Sequence, residues 1–196
     1  LGNRIKMEHI LFDYLAKYID LSDTEKQAIT DLDTFKQYKK GTILLEEDAH
    51  TDYGYFVIKG CLRSYYVING DEKTTAFYTE AESFEPQCKI DKKPSKYVVS
   101  CMEDSILMVA NSEMEMTIFE KFPKFETLCR VLTEEQLVKS KSDFDKFRTS
   151  SPEKRYLDLQ ETRPDLLQRI PQYQIASYLG ITPQSLSRLR NRLVKS

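Results

Sequence analysis

The sequence has no tryptophan, only two histidines and only four cysteines in 196 residues. His9 and His50 stand alone, which leaves little imidazole for metal binding or acid–base catalysis. The cysteines form no C-x-x-C pair, so we expect no zinc ribbon or iron–sulfur cluster but reduced thiols, mostly buried. The sequence therefore predicts no metal, no cofactor, no catalytic residues and no enzyme. The four thiols are Cys61, Cys88, Cys101 and Cys129.

Long hydrophobic runs are also missing. No stretch is apolar over the ~18 residues that a membrane-spanning helix needs, and no signal peptide is visible. Charged residues make up 31% of the chain and the mean hydropathy is −0.52. These values predict a soluble, cytoplasmic protein without a membrane partner.

Acidic residues are absent from one end of the chain. Residues 166–196 carry five basic side chains and no Asp or Glu. The other 165 residues carry 24 basic and 31 acidic side chains, so an overall charge of −2 divides into −7 and +5. An acidic body with a basic end is typical of a protein with a local nucleic-acid site.

Short apolar runs separated by turn residues fill the segment from Phe35 to Val109. Asn69-Gly70 lies between two of them and is a strong hairpin signal, because both residue types tolerate positive φ. Many short, closely spaced strands predict an antiparallel jelly roll within an α+β fold. The runs are Ile43–Leu45, Tyr55–Ile58, Leu62–Ile68, Thr74–Tyr78, Tyr97–Val99 and Ile106–Val109.

Helical patterns flank this region. Apolar spacing predicts a helix over residues 5–20, and Ser22 with Glu25 forms a capping-box pattern that starts a second helix. A long helix is expected from about Lys124 to Phe147, with more apolar surface than one neighbour needs. We therefore expect a homodimer helix, the alternative being a helix that packs only on its own domain. The residues assigned to this dimer contact are Phe125, Leu128 and Leu132, and a second apolar patch comprises Leu137, Phe144 and Phe147.

Ser151 and Pro152 start a new helix after the long one, since serine caps helices and proline fits their first position. This break suggests three parts. They are an N-terminal domain over residues 1–122, the dimerisation helix over 123–149 and a C-terminal domain over 150–196.

The C-terminal segment from Ile170 to Leu193 has the spacing of a helix-turn-helix. Gly180 falls where the chain must turn with positive φ, and Ala176 falls where two helices would cross closely. Thr182 can cap the second helix, with Pro183 at its first position. Apolar residues repeat on the inner side of both helices, at Ile175, Leu179, Ile181, Leu186 and Leu189.

The outer face of the second helix carries side chains that contact base edges and phosphates in a major groove. Lys195 adds further positive charge. The alternative is an ordinary helical hairpin with a solvated basic end. The predicted contacts to double-stranded DNA are Thr182, Gln184, Ser185, Ser187, Arg188, Arg190, Asn191 and Arg192.

The order of helices, jelly roll, long helix and helix-turn-helix resembles the Crp/Fnr family of bacterial transcription regulators. Residues 38–48 followed by 55–60 are similar to the opening of that family's cyclic-nucleotide-binding domain. The resemblance implies a winged-helix-like DNA-binding domain, a homodimer on a pseudo-palindromic operator, and contact with RNA polymerase. Pro183 stands where the best-known member has a DNA-contacting arginine, so the operator is not carried over.

The resemblance breaks down at the effector pocket. Nucleotide-binding members carry Gly-Glu and then Pro-Arg-Ser/Ala, where Glu holds the ribose and Arg the cyclic phosphate. Here Phe84 is followed by Glu-Pro-Gln, and Ser95 takes the place of the Arg, so a bidentate phosphate clamp is missing. We therefore predict that cyclic AMP does not control this protein and that any small-molecule effector is unknown. The pocket residues predicted are Glu85, Gln87, Ser95 and Lys96.

Three alternatives remain at this stage. One is a regulator that does bind a cyclic nucleotide or another small ligand in the barrel. A second is a cupin-type jelly-roll enzyme, which the shortage of histidine disfavours because such sites need clustered His and carboxylate ligands. Haem sensing would depend on His9 or His50 alone.

Overall fold

The computed structural model describes the backbone of residues 2–195 and the side chains of residues 9–193. The chain divides into two compact units. The N-terminal unit comprises Leu1–Ser64 and Phe77–Leu132, and the C-terminal unit comprises Tyr65–Ala76 and Thr133–Ser196. The predicted domain boundaries at residues 122 and 149 stay a prediction.

The strands form two four-stranded sheets, which confirms the α+β fold with a jelly-roll barrel. One sheet has the order β1-β8-β3-β6 and the other β2-β7-β4-β5, and β3 pairs antiparallel with both β6 and β8. The strands are β1 (Phe35–Tyr38), β2 (Ile43–Leu45), β3 (Tyr53–Lys59), β4 (Leu62–Ile68), β5 (Asp71–Tyr78), β6 (Ser83–Phe84), β7 (Val98–Cys101) and β8 (Ser105–Asn111).

Strand β3 is buried on both faces because its alternate side chains enter two different cores. Phe56 and Ile58 pack against the helices of the N-terminal unit. Tyr55, on the opposite face, stacks on Phe84 with ring centroids 6.2 Å apart. The helices are α1 (Gly2–Leu15), α2 (Asp23–Asp31), α3 (Gln87–Asp91), α4 (Ser112–Lys121) and the first part of α5 (Lys124–Thr149).

Helix α2 begins with the predicted capping box. The Ser22 side chain accepts from the backbone N–H of Glu25, and Glu25 Oε2 accepts from the N–H of Ser22 at 2.8 Å. Lys124 Nζ lies 2.8 Å from Glu25 Oε1. The hydrogen bond from Lys124 and the N–H of Ser22 together lower the pKa of Glu25 to about 2.

The C-terminal unit is helical apart from the end of the β4–β5 hairpin. Asn69 and Gly70 form its turn with φ of 54° and 82°, as the sequence predicts. Ser177 holds this hairpin end, since its Oγ donates to the carbonyl of Glu72 and accepts from the N–H of Thr74 at 2.9 Å. The helices are the rest of α5, α6 (Pro152–Thr162), α7 (Pro164–Arg169), α8 (Gln172–Tyr178) and α9 (Pro183–Lys195).

Some elements differ from the sequence prediction. The first helix ends at Leu15 instead of residue 20, and residues 16–18 form a turn. Strands β1 and β6 and helix α3 were not predicted, because β1 is half charged or polar and β6 has two residues. Across residues 2–195, no helix is both long and apolar enough to cross a membrane.

Candidate nucleic-acid interface

Helices α8 and α9 pack through small and branched side chains at their crossing. Ile175 and Ala176 on α8 are fully buried, and Leu186 on α9 is 1% exposed. The N–H of Ile181 donates to the carbonyl of Ala176 at 2.9 Å, which closes the turn. Gly180 has φ of +71°, the left-handed conformation that favours glycine. The segment is thus folded as a helix-turn-helix.

Thr182 caps α9, as predicted. Its Oγ1 accepts from the N–H of Ser185 at 3.1 Å and lies 3.0 Å from the hydroxyl of Ser185. The Ser185 hydroxyl also accepts from Arg188 Nη2 at 3.4 Å, near the upper limit for a hydrogen bond. Thr182 and Ser185 therefore hydrogen-bond to each other at the start of α9, whereas the bond of Arg188 to Ser185 is long and weak.

The outward face of α9 is polar and basic, and it borders a groove. A concave surface of about 430 Å³ is lined by Gln172 at the start of α8 and by Pro183, Ser187, Arg190 and Asn191 on α9. Gln172 is a candidate contact that the sequence prediction missed, although it opens the motif. The predicted contacts that are exposed on this helix are Gln184, Ser187, Arg188, Arg190, Asn191 and Arg192.

Arg192 has a partner inside the protein. Its Nη2 donates to the carboxylate of Glu153 in the first turn of α6. This ion pair joins residues 39 positions apart, so nothing in the local sequence indicates it. Arg192 thus ties α9 to α6 in the structure. The side chain of Lys195 lies outside the described residues.

Three of the four residues predicted for an effector pocket, Glu85, Gln87 and Ser95, bond to other groups in the N-terminal unit. Lys89, 8% exposed, bonds Glu85 at 3.0 Å and Glu115 at 2.6 Å. Burial lowers the pKa of Lys89, but the two carboxylates outweigh it and the net shift is upward. Glu85 also lies over Gly54, where an added Cβ would clash with its carboxylate.

Ser95 is buried and hydrogen-bonded to the backbone. Its Oγ donates to the carbonyl of Tyr97 at 2.7 Å and accepts from the N–H of the same residue. Gln87 is exposed and donates to Asp91, and Lys96 is exposed. Among the described side chains, no hydrogen bond or ion pair links one of the four predicted pocket residues to another. The Lys89 network was missed, although Glu85 and Lys89 stand four residues apart at helical spacing.

The residues predicted for the dimer contact need correction. Phe125 and Leu128 are 5% and 4% exposed and lie in the core of the N-terminal unit, and Leu132 packs against that core. They follow the apolar stripe that their own unit covers. From Thr133 to Thr149, by contrast, every residue of α5 is exposed. Large apolar side chains in this part are Leu137, Val138, Phe144 and Phe147.

Three of the four thiols are buried, as the sequence predicts for most of them. Cys61, Cys88 and Cys101 are buried thiols, whereas Cys129 is exposed. Within the described residues, no three side chains of the His, Cys, Asp or Glu type come together as a metal site.

The chain is similar to a known domain family and to several solved structures. Residues 35–122 match the cyclic nucleotide-binding domain family. FixK2 from Bradyrhizobium japonicum aligns with a TM-score of 0.67 at 19% identity, covering 83% of this chain and 84% of its own. For CLP of Xanthomonas campestris, described as a c-di-GMP responsive global regulator, these values are 0.67, 13%, 89% and 92%. A CooA mutant from Carboxydothermus hydrogenoformans gives 0.60, 20%, 82% and 76%. No curated protein sequence matches this chain.

Residues 35–122 therefore resemble a cyclic nucleotide-binding domain in sequence and in fold. The fold is similar to that of FixK2, CLP and the CooA mutant, in line with the resemblance stated from the sequence.

Proposed function

We propose that the protein is a sequence-specific, DNA-binding transcription regulator of Crp/Fnr type. The observation that carries this proposal is the capped helix α9, whose exposed face presents Gln184, Ser187, Arg188 and Asn191 beside a groove that Gln172 completes. Glutamine, asparagine and arginine can each make two hydrogen bonds to one base edge. The surrounding positive charge favours phosphate binding. In this proposal the protein works in the cytoplasm, and contact with RNA polymerase stays a prediction.

The second part of the proposal is a homodimer built on α5. Its exposed half, residues 133–149, carries four large apolar side chains, and Leu137 and Val138 are 69% and 71% exposed. Of these, Leu137 and Phe144 lie on the same face of the helix, and a second copy of this helix is the partner that we propose for that face. Two α9 helices about 34–36 Å apart would then read a pseudo-palindromic operator.

The third part concerns the effector. Lys89 neutralises Glu85, one of the residues predicted for the effector pocket, and the Ser95 hydroxyl is bonded to the carbonyl of Tyr97. Removing Glu85 from this pair to bind a ribose would leave Lys89, nearly buried, with one carboxylate fewer. We therefore propose that cyclic AMP does not control the protein. A different small ligand in the barrel remains the alternative, since CLP of the same fold is described as responsive to c-di-GMP.

Selection from random duplex DNA tests the proposed sequence-specific DNA binding. The wild-type protein is expected to enrich a palindromic site. Arg188→Ala is expected to weaken binding to that site by roughly 1–3 kcal/mol if the guanidinium contacts a guanine, and to relax the preference at that base pair. Lys59→Ala removes one positive charge from the N-terminal unit and serves as the control. Enrichment of no sequence by the wild-type protein would refute the proposal.

Calorimetric titration with cyclic AMP and cyclic GMP tests the effector part separately. No heat of binding is expected from either nucleotide. A saturable heat that Glu85→Gln abolishes would favour the alternative, in which the barrel does hold a cyclic nucleotide.

A further inference from the structure

Arg155 on α6 joins more elements of the C-terminal unit than its place in the sequence indicates. Its Nε and Nη2 donate to the carbonyl of Leu179 at 3.1 and 2.9 Å. Its Nη1 donates to the carbonyls of Phe147 and Ser150 at 3.1 and 2.7 Å. One guanidinium thus holds three backbone carbonyls from two separate stretches of chain.

Those carbonyls belong to the C-terminal ends of two helices. Helix α5 ends at Thr149, so Phe147 and Ser150 lie in and just after its last turn, and Leu179 is the C-cap of α8. Carbonyls at helix C-termini lack intrahelical partners and carry the negative end of the helix dipole, which favours a cation there. Arginine presents a flat fork of five N–H donors, whereas lysine offers a single ammonium.

The ring of Phe147 completes the contact. The Arg155 guanidinium carbon lies 4.4 Å from the centroid of this ring, within cation–π distance. The same ring reaches the turn of the helix-turn-helix, because its Cζ lies 3.1 Å from where a Cβ on Gly180 would stand. The end of α5, Arg155 and the turn between α8 and α9 therefore pack as one block.

We infer that Arg155 is a positioning residue that fixes the helix-turn-helix relative to the end of α5. This inference rests on the proposed function. If α5 forms the dimer, the angle that Arg155 holds sets the separation of the two α9 helices and hence the spacing of the operator half-sites. Arg155 then governs spacing, while Arg188 and its neighbours on α9 govern the half-site sequence.

The functional test uses the half-site that the wild-type protein enriches, placed as an inverted pair with spacers of varied length. The wild-type protein and the control Lys154→Ala, which removes an exposed charge from the same helix, are expected to prefer one spacer. Arg155→Ala is expected to keep the half-site sequence. Its preference for the best spacer over one a single base pair longer is expected to fall about tenfold, equivalent to ~1.4 kcal/mol.

A physical test reads the positioning without DNA. Spin labels on Ser140→Cys in α5 and Tyr173→Cys in α8 are placed in a Cys129→Ser background, since the other three thiols are buried. Labelled protein is diluted with unlabelled protein so that distances within one protomer dominate. The wild-type protein and Lys154→Ala should give one narrow distance distribution, and Arg155→Ala a broader one.

The outcomes separate the two proposals. If the wild-type protein enriches no DNA, the proposed function fails, and the distance distribution still decides whether Arg155 positions the helix-turn-helix. A folded Arg155→Ala with wild-type spacer preference and a narrow distribution would overturn the inference. If Arg155→Ala does not fold, Arg155→Lys decides, because it keeps the charge and loses the fork. Wild-type behaviour of Arg155→Lys in both measurements would overturn the inference, and loss of spacer preference would support it.

Discussion

The two units differ in whether basic side chains are neutralised within the protein or exposed to solvent. In the N-terminal unit Lys89 is nearly buried between Glu85 and Glu115, so its charge is neutralised inside the protein. On α9, by contrast, Arg188 and Arg190 are exposed, and the one hydrogen bond of Arg188 to Ser185 is 3.4 Å long. The first arrangement leaves no positive charge for a ligand, whereas the second leaves positive charge that a polyanion can bind.

This contrast limits what net charge can teach. Arg192 counts toward the basic end of the sequence, yet it pairs with Glu153, which lies in the acidic part. Arg155, like Glu153, lies outside the basic end, and its N–H groups donate to backbone carbonyls. The division into −7 and +5 locates the basic helix, but only the contacts say which charges face solvent.

The largest effects should come from the two separate cores. Leu107 in the N-terminal unit is fully buried and Leu186 in the C-terminal unit is 1% exposed. Replacing either with Ala should reduce the free energy of unfolding by about 2–5 kcal/mol through lost burial and a cavity. Scanning calorimetry is expected to show two transitions, each moved by one of the two variants. If both variants move the same single transition, the units do not unfold independently.

A smaller effect is expected at two glycines with matched backbone conformation. Gly41 (φ +82°) and Gly180 (φ +71°) both lie in the left-handed region, but only Gly180 has a neighbour within reach of an added Cβ, the Phe147 ring. Gly41→Ala should cost about 1–2 kcal/mol from the backbone alone. Gly180→Ala should cost more, because the ring must also move.

Denaturant unfolding of both glycine variants measures this difference. Gly180→Ala should also weaken DNA binding, whereas Gly41→Ala should not. Equal costs at the two positions would mean that the ring yields freely and that the block around Arg155 is looser than its distances indicate.

Local signals made the helix-turn-helix and the hairpin predictable. A glycine that needs positive φ, a threonine cap and a capping box act within four residues, so Gly180, Thr182 and Ser22 could be read from the sequence. The Asn69-Gly70 turn is of the same kind. Each of these features depends on residues that are already neighbours in the chain.

Long-range contacts explain what the sequence did not reveal. Phe125 and Leu128 have the spacing of a contact surface, but spacing cannot say whether a partner subunit or the chain's own core covers them. The bonds from Arg155 to Leu179 and from Arg192 to Glu153 join positions 24 and 39 residues apart. Strand β1 is polar in part and is a strand only because β8 pairs with it.

Acid should affect the N-terminal unit through Glu25. Its pKa is about 2 in the folded protein against 4.5 for the ordinary group, so its stabilising contribution is present above pH 4.5 and lost as the pH falls towards 2. In Glu25→Gln, the free energy of unfolding should therefore decrease less than in the wild-type protein as the pH is lowered from 4.5 towards 2. Denaturant unfolding at several pH values measures it, with the exposed Glu126→Gln as control. An unchanged pH dependence in Glu25→Gln would show that neither the Lys124 contact nor the hydrogen bond from the Ser22 N–H lowers the pKa of Glu25 in solution.

The smallest change is expected at Glu153. It tests whether Arg192 stays neutralised by Glu153 or contacts DNA, as we propose for the other exposed side chains of α9. The side chains of Arg192 and Glu153 are 65% and 41% exposed, so their ion pair should contribute only about 0–1 kcal/mol to stability. Glu153→Gln should nevertheless strengthen DNA binding, because it releases Arg192 and removes a negative charge beside α9. If the released Arg192 reaches a phosphate, the slope of log affinity against log salt should steepen by about one. Arg192→Ala in the wild-type background should leave the slope unchanged, since Glu153 already occupies that guanidinium. The opposite result is a salt slope about one lower in Arg192→Ala and unchanged DNA binding in Glu153→Gln. It would mean that Arg192 leaves Glu153 on binding DNA and is one of the DNA-contacting residues of α9.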